Sequence, residues 1–215
     1  MQGRRADGQP ATLPRLVSGT PSLARLLTRV RACTECAAHL PLGPRPVLRV
    51  GPEARVLLIG QAPGTKVHET GVPWNDPSGD RLRDWMKVDR EAFYDTRRFA
   101  IMPMGFCYPG RDERGGDAPP RPECAPLWHE RIKALLPRIE LTLLIGRYSQ
   151  AYYLGTKDAP LADTVRRWRD FKGAGFFPLP HPSPRNRLWL KQRPWFESEV
   201  LPALRRGLKA ALAEG

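Results

Sequence analysis

One histidine stands among three prolines, in the run Pro180-His181-Pro182-Ser183-Pro184. Proline fixes its own φ and restricts the residue before it, so the backbone around this imidazole is nearly rigid. An imidazole held in this way can donate a hydrogen bond or move a proton near neutral pH. A lone loop histidine is more often structural than catalytic, but the flanking prolines favour a preorganised site. The run makes His181 a candidate for hydrogen-bond or acid–base chemistry.

The four cysteines have one tight and one wide spacing, Cys33-x2-Cys36 and Cys107-x16-Cys124. No apolar signal segment is present, which predicts a cytoplasmic protein whose thiols stay reduced. A metal site is then favoured over disulfides, because a tight pair with two distant partners can enclose one metal centre. Structural zinc usually has two tight pairs, so the wide second pair disfavours zinc, which is kept as the alternative. Four unrelated thiols are a further interpretation.

A short apolar run, Val56 to Ile59, precedes the sequence Gly60-Gln61-Ala62-Pro63-Gly64. Such a run bounded by glycine and proline predicts a strand buried on both faces. The loop after it then lies at the carboxyl end of a central strand, where open α/β sheets bind ligands. A strand that merely ends in a tight turn is the alternative.

Strand and helix patterns alternate along the chain, which predicts an α/β fold. We expect a three-layer α/β/α sandwich with a central, mostly parallel four-stranded sheet, in which the loops after the first and last strands open on the same edge. The predicted strands are 56–59, 98–102, 141–145 and 176–179. The predicted helices are 22–31, 81–86, 126–136, 147–154, 160–170 and 194–212, with a connector over 41–54, a loop over 65–80 and an irregular segment over 103–124.

The first 20 residues are polar, basic and rich in proline and glycine, so we expect a disordered tail followed by one domain over 21–215. The net charge of +13 favours a polyanionic partner, although a basic chain can simply be well solvated. No apolar run is long enough to span a membrane.

Four motifs in this order resemble the uracil-DNA glycosylase superfamily, especially its iron–sulfur branch, from about Cys33 to Arg193. Gly60-Gln61-Ala62-Pro63-Gly64 is similar to that branch's first motif, and His181-Pro182-Ser183-Pro184 to its second. Gly71-Val72-Pro73-Trp74 is similar to a motif whose aromatic ring stacks on the extruded base. The resemblance implies that Cys33, Cys36, Cys107 and Cys124 hold a structural [4Fe–4S] cluster and that His181 donates to the leaving base.

The first motif departs from the family pattern, because Gln61 stands where the iron–sulfur branch has glutamate. Ala62 stands where the common uracil-specific enzymes have aspartate, so the motif has no carboxylate. Asp76 resembles an acidic residue of another branch that also lacks this carboxylate. The family's base-reading asparagine would fall near Pro103, and Asn75 is a candidate substitute.

We therefore expect three groups of site residues besides the cysteines. The catalytic candidates are His181, Asp76 and Gln61, and the base-binding candidates are Gly60, Ala62, Pro63, Gly64, Trp74 and Asn75. The DNA-binding candidates are Ser183, Arg185, Arg187, Leu188, Lys191 and Arg193. Leu188 or Arg185 would act as a wedge in the duplex, unless Leu188 and Trp189 only cover the core.

The resemblance implies a monofunctional DNA glycosylase that removes uracil or another deaminated base, acting as a monomer in the cytoplasm or nucleoid. A non-catalytic binder of damaged or single-stranded DNA is the alternative. An iron–sulfur electron carrier would leave the histidine loop and the charge without a role. A nucleotide-binding enzyme is disfavoured, because no Gly-x-Gly-x-x-Gly or Walker-type loop occurs.

Overall fold

A computed structural model describes residues 22–113 and 115–213 of the chain. Its centre is a four-stranded sheet made of β1 (Val56–Ile59), β2 (Phe99–Ile101), β3 (Leu141–Ile145) and β4 (Phe176–Leu179). All neighbouring strands are parallel, and their order is β2-β1-β3-β4. The chain passes from β1 to β2 on one side and then returns to β3 on the other side of β1. This reversal places a topological switch point between β1 and β3, at the carboxyl edge of the sheet.

The sheet is covered on both faces, as the sequence predicts. Val56 and Leu58 belong to one buried cluster with Leu82 and Leu204, whereas Leu57 and Ile59 belong to a second cluster. Successive side chains of a strand point to opposite faces, so each face of β1 has its own core. The expected three-layer α/β/α fold is confirmed.

Ten α-helices of the described residues flank this sheet. They are α1 (Leu23–Arg31), α2 (Thr65–Thr70), α3 (Pro77–Met86), α4 (Arg90–Tyr94), α5 (Cys124–Lys133), α6 (Arg147–Leu154), α7 (Leu161–Arg166), α8 (Trp168–Lys172), α9 (Arg187–Lys191) and α10 (Leu201–Leu212). Short 3₁₀ turns cover Ala37–His39 and Pro184–Asn186, and a π-helical turn over Phe196–Val200 leads into α10.

The expected loop over 65–80 is wrong in part, because it contains α2 and the first turn of α3. Gly71 ends α2 in the left-handed conformation, with φ of 69°. Asp76 begins α3 by accepting a hydrogen bond from Gly79 N at 2.8 Å. α2 has only six residues and the first turn of α3 has no large apolar residue, so local capping and the packing of Val67 determine this part of the chain instead.

Other elements also differ from the sequence prediction. The helix expected over 160–170 is divided into α7 and α8 at Arg167, and the helix expected over 126–136 is α5, which lies over Cys124–Lys133. The sequence does not predict α4 and α9. Asp89 caps α4 by accepting from Ala92 N at 2.7 Å. The predicted tail over 1–20 lies outside the described residues. No helix that the structure describes is long and apolar enough to cross a membrane.

Candidate active site

The loops that follow β1 and β4 meet at one edge of the sheet and enclose a cavity of about 510 Å³. This convergence is what the parallel sheet predicts. The walls include the first-motif loop 60–64 and the segment 115–117. The other lining residues include Trp74, Asp76, Pro103, Arg111, His181, Ser183, Arg185 and Asn186. All three catalytic candidates therefore line one cavity, together with every base-binding candidate except Asn75.

His181 is partly buried at the wall of the cavity, and its ring stacks on Trp74 with centroids 5.5 Å apart. The side-chain amide of Asn186 donates to the carbonyl of His181 at 2.8 Å, which fixes the loop. Loss of contact with water lowers the pKa of His181, and the negative charge of Asp76 opposes this effect. The imidazole is therefore neutral at neutral pH and keeps one ring N–H to donate.

Trp74 approaches two glycines closely, Gly60 with its ring and Gly79 with its backbone. A Cβ atom at Gly60 would lie 2.7 Å from Cζ2 of Trp74, and one at Gly79 would lie 1.8 Å from its carbonyl oxygen. Trp74 has a φ of 56°, which is unusual for a residue with a side chain. Arg83 donates to its carbonyl at 3.2 Å and secures this conformation.

The two polar side chains of the predicted catalytic group both have a structural partner. Asp76 Oδ1 accepts from Gly79 N at the start of α3. The amide Nε2 of Gln61 donates to the carbonyl of Ala118 at 3.2 Å. Gln61 thus connects the first motif to the segment that precedes Cys124. The negative charge of Asp76 acts on His181, whose pKa it raises against the effect of burial.

Asn75, the proposed base-reading substitute, is not brought into the cavity. Its Oδ1 accepts from Arg90 Nη2 at 2.9 Å, and its Nδ2 lies 3.5 Å from Thr70 Oγ1. Pro103 does line the cavity, and its carbonyl lies 3.1 Å from Nε2 of the buried His129. The position near Pro103 therefore offers a backbone wall but no side-chain amide.

Sequence reasoning missed Asp117 and Arg111, which line the cavity from the segment expected to be irregular. This segment folds back on itself, with an antiparallel bridge between Arg111 and Asp117. Asp117 lies at the cavity mouth and is exposed, yet the surrounding chain still desolvates its carboxyl group enough to raise its pKa. The only sequence signal was the turn-forming pair Gly115-Gly116 just before this carboxylate.

The predicted DNA-binding residues divide into two groups. Ser183 and Arg185 line the cavity, and Arg185 donates to the carbonyl of Gly115 at 3.0 Å. The others are on or just after α9, where Arg187 and Lys191 are exposed and Arg193 stacks 4.8 Å above the Trp189 ring. Trp189 packs against the core cluster, whereas Leu188 is 65% exposed. Covering the core thus explains Trp189 but not Leu188.

A wider groove of about 1230 Å³ adjoins the cavity and shares Gln61, His181 and Asn186 with it. Its charged lining residues are Arg121, Arg147 and Lys157, and no carboxylate is among the described residues that line it. Tyr152, also in the lining, is 44% exposed. Cations with an accessible aromatic ring suit a nucleic-acid strand.

The four cysteines line one small cavity with apolar walls that include Leu40, Phe106, Leu127 and Trp128. Burial raises the pKa of Cys107 to about 11 and that of Cys124 to about 12. No group of three or more His, Cys, Asp or Glu residues in the described ranges 22–113 and 115–213 is arranged to hold a metal ion. The cavity is also lined by Trp128 and Arg121, whose buried Nε1 and Nε atoms have no hydrogen-bond partner in the described structure.

Fold and site together define an α/β protein with a ligand cavity at the switch point of a parallel sheet, next to a basic groove. The family model of the uracil DNA glycosylase superfamily matches residues 48–205, well over half of the chain. The chain belongs to this superfamily, whose members are DNA glycosylases, hydrolases that act on DNA with deaminated bases. The match begins after Cys33 and Cys36, so it does not test the cysteine site.

Proposed function

We propose that this protein is a monofunctional DNA glycosylase that extrudes uracil or a related deaminated base and hydrolyses its N-glycosidic bond. The observation that carries the proposal is the convergence of His181, Trp74 and the first-motif loop on one cavity, in a chain of this superfamily. No lysine lines that cavity among the described residues, which disfavours an amine nucleophile and favours water.

The reaction requires the target base to leave the helical stack and enter the cavity. Trp74, packed closely against Gly60 and Gly79, supplies an aromatic surface for the base. Stacking of a base on an aromatic side chain contributes about 1–3 kcal/mol. The groove with Arg147, Lys157 and Tyr152 accommodates the neighbouring strand, and the exposed Leu188 fills the space that the base vacates.

Breaking the glycosidic bond builds negative charge on the departing base and positive charge on the sugar. The neutral imidazole of His181 donates a hydrogen bond to the base and stabilises the anion without a net charge of its own. Asp76, which lines the same cavity, stabilises the cationic sugar electrostatically. Gln61 orients the site through its bond to Ala118.

The cysteine cavity is the proposed site of a [4Fe–4S] cluster held by Cys33, Cys36, Cys107 and Cys124. In such a cluster each thiolate binds a different iron, so the four sulfur atoms lie farther apart than around one ion. The four thiols line one cavity, and four thiolates are the ligand set that such a cluster requires. The unpartnered N–H groups of Trp128 and Arg121 are suitable donors to sulfur. The cluster would be structural and would tie the residues after α1 to α5.

The experiment is incubation with oligonucleotides that carry uracil, hypoxanthine or xanthine, in single and double strands, followed by alkaline cleavage at abasic sites. We expect cleavage of at least one substrate by the wild type and no cleavage of an undamaged strand. Binding of these oligonucleotides without cleavage of any would contradict the proposal and identify a non-catalytic binder of damaged DNA.

A further inference from the structure

We infer that Asp117 is the general base of the reaction and supplies the carboxylate that the first motif lacks. This inference rests on the proposed glycosylase function and deepens it. Asp117 lines the same cavity as His181 and Gln61. Its Oδ2 lies 3.5 Å from the point where a Cβ atom of Gly64 would be, so the carboxylate faces the first-motif backbone directly.

The loop that carries Asp117 is held by both motif loops. Gln61, from the first motif, donates to the carbonyl of Ala118, the residue next to Asp117. Arg185, from the loop after β4, donates to the carbonyl of Gly115, two residues before it. The two motif side chains that were expected to act on the substrate therefore position the loop of Asp117.

The loop is also closed internally, which gives the carboxylate a defined place. Ala118 N donates to the carbonyl of Gly110 at 2.9 Å, and Asp112 N donates to that of Gly116 at 2.8 Å. Gly116 N donates to Asp112 Oδ1 at 2.7 Å. A base on a loop tied by these hydrogen bonds can be held at the distance that proton abstraction requires.

The other cavity carboxylate, Asp76, is less suited to this role. One of its oxygens already accepts the N–H of Gly79 at the start of α3. Asp117 is exposed at the cavity mouth, where a water molecule can reach it from solvent. Two carboxylates with different surroundings can then divide the work, with Asp76 acting by its charge and Asp117 by accepting a proton.

In the reaction, the oxygen of water bonds to C1′ of the deoxyribose while the C1′–N bond breaks. The electron pair of that bond leaves with the base, which accepts the hydrogen bond of His181. The proton of the attacking water passes to the carboxylate of Asp117 and then to solvent. The products are an abasic sugar with a hydroxyl group at C1′ and the base, which leaves as its anion and takes a proton from solvent.

The charged groups around Asp117 determine its titration. Desolvation raises its pKa, Arg185 and Arg111 lower it, and Asp76 and Asp112 raise it again. His181 shares the cavity. The net direction is upward, so Asp117 becomes a stronger proton acceptor than an ordinary aspartate and its base form is lost at a higher pH.

The test compares single-turnover excision by the wild type, Asp117→Asn and Glu113→Gln on the oligonucleotide that the wild type cleaves fastest. Asp117→Asn should slow excision about 10²–10⁴-fold, the range for loss of a general base. Glu113→Gln removes one charge from an exposed site on the same loop, outside the cavity lining, and should keep the wild-type rate. Affinity for a non-cleavable 2′-fluoro substrate should stay within about threefold for both variants, since neither side chain is proposed to bind the base.

The pH profile separates a base from a structural residue. The Asp76→Asn background removes the other cavity carboxylate, whose charge also affects the rate. In that background the rate should fall about tenfold per unit on the acid side, and adding Asp117→Asn should remove this limb. A limb that persists in the double variant, or a rate of Asp117→Asn within about threefold of wild type, would overturn the inference while the glycosylase proposal stands. A wild type that is inactive on every substrate would overturn both.

Discussion

His181 combines a fixed backbone, a stacked ring and a lowered pKa, and each has its own cause. The fixed backbone comes from the flanking prolines and the Asn186 bond, the stacking from Trp74, and the lowered pKa from desolvation. We expect His181→Ala to slow excision about 10²–10³-fold, as removal of a preorganised donor does. DNA affinity and metal content should not change. The measurement is single-turnover excision, with His39→Ala at an exposed turn as the control. Full activity of His181→Ala would remove this residue from the chemistry.

Asp76 has a structural role and a proposed electrostatic one, and two substitutions separate them. Asparagine caps a helix as well as aspartate does, so Asp76→Asn should keep the stability of α3 while losing the charge. We expect the rate of excision to fall at least about tenfold. This factor corresponds to losing about 1.4 kcal/mol of electrostatic stabilisation of the cationic sugar in the transition state. Asp76→Ala should also lose about 1 kcal/mol in free energy of unfolding. Urea denaturation and excision assays measure the two effects. Should Asp76→Asn remain as active as the wild type, the substrate phosphates would have to supply the charge.

The position of a site residue was predictable from the sequence only where a motif determined both the residue type and its location in the fold. Val56–Ile59 and the prolines around His181 placed two motif loops at one edge of the sheet, and the cavity confirms this placement. The partner of Gln61 was not predictable, because the carbonyl of Ala118 is far away in sequence. Asp117 reaches the cavity only through a hairpin that carries no apolar pattern.

At the scale of elements, α9 carries three large apolar side chains, Leu188, Trp189 and Leu190, which do not all face the core. Trp189 packs on the core, and Leu188 is 65% exposed. If Leu188 occupies the space of the extruded base, Leu188→Ala should slow excision from duplex DNA about tenfold or more, given the few kcal/mol that unstacking requires. Single-stranded substrates, which need little unstacking, should be cleaved at the wild-type rate.

Two further variants complete this experiment on α9. Leu42→Ala removes an equally large side chain that is 53% exposed elsewhere, and it should affect neither substrate. Trp189→Ala should lower the free energy of unfolding instead, by about 3 kcal/mol or more if the site cannot collapse. Equal losses on single and double strands in Leu188→Ala would show that this side chain is not a wedge.

Short helices account for most of the errors at the level of elements. α2 and α4 have six and five residues, which is too short for a hydrophobic period to be visible. Gly71 ends α2, Asp89 caps α4 and Asp76 caps the first turn of α3, and similar residues also occur in ordinary turns. The buried strands β1 and β3 were predictable, because each is a short, mainly apolar run that ends at a glycine, with Thr142 the one polar residue in the two. This pattern is typical of strands covered on both faces.

At the scale of the whole molecule, the cysteine cavity joins parts of the chain that the sheet does not hold together. Cys33 and Cys36 follow α1, Cys107 follows β2, and Cys124 begins α5. A metal centre at this place would stabilise the fold by linking segments up to 91 positions apart, as the numbering of Cys33 and Cys124 gives. It would also fix the two ends of the 107–124 segment, which carries Asp117 between them.

We expect protein purified without oxygen to be brown and to contain about four iron and four sulfide ions per chain, the composition of a cluster with four cysteine ligands. Cys107→Ala should lose this content and melt at a lower temperature, because the ligand set is incomplete. The rate of excision should also fall in Cys107→Ala, because Cys107 no longer fixes one end of the segment that carries Asp117. Metal analysis, sulfide analysis and thermal melts of the two proteins decide the matter. Stoichiometric zinc without sulfide would replace the cluster by a single-ion site, and a wild type without any metal would contradict both.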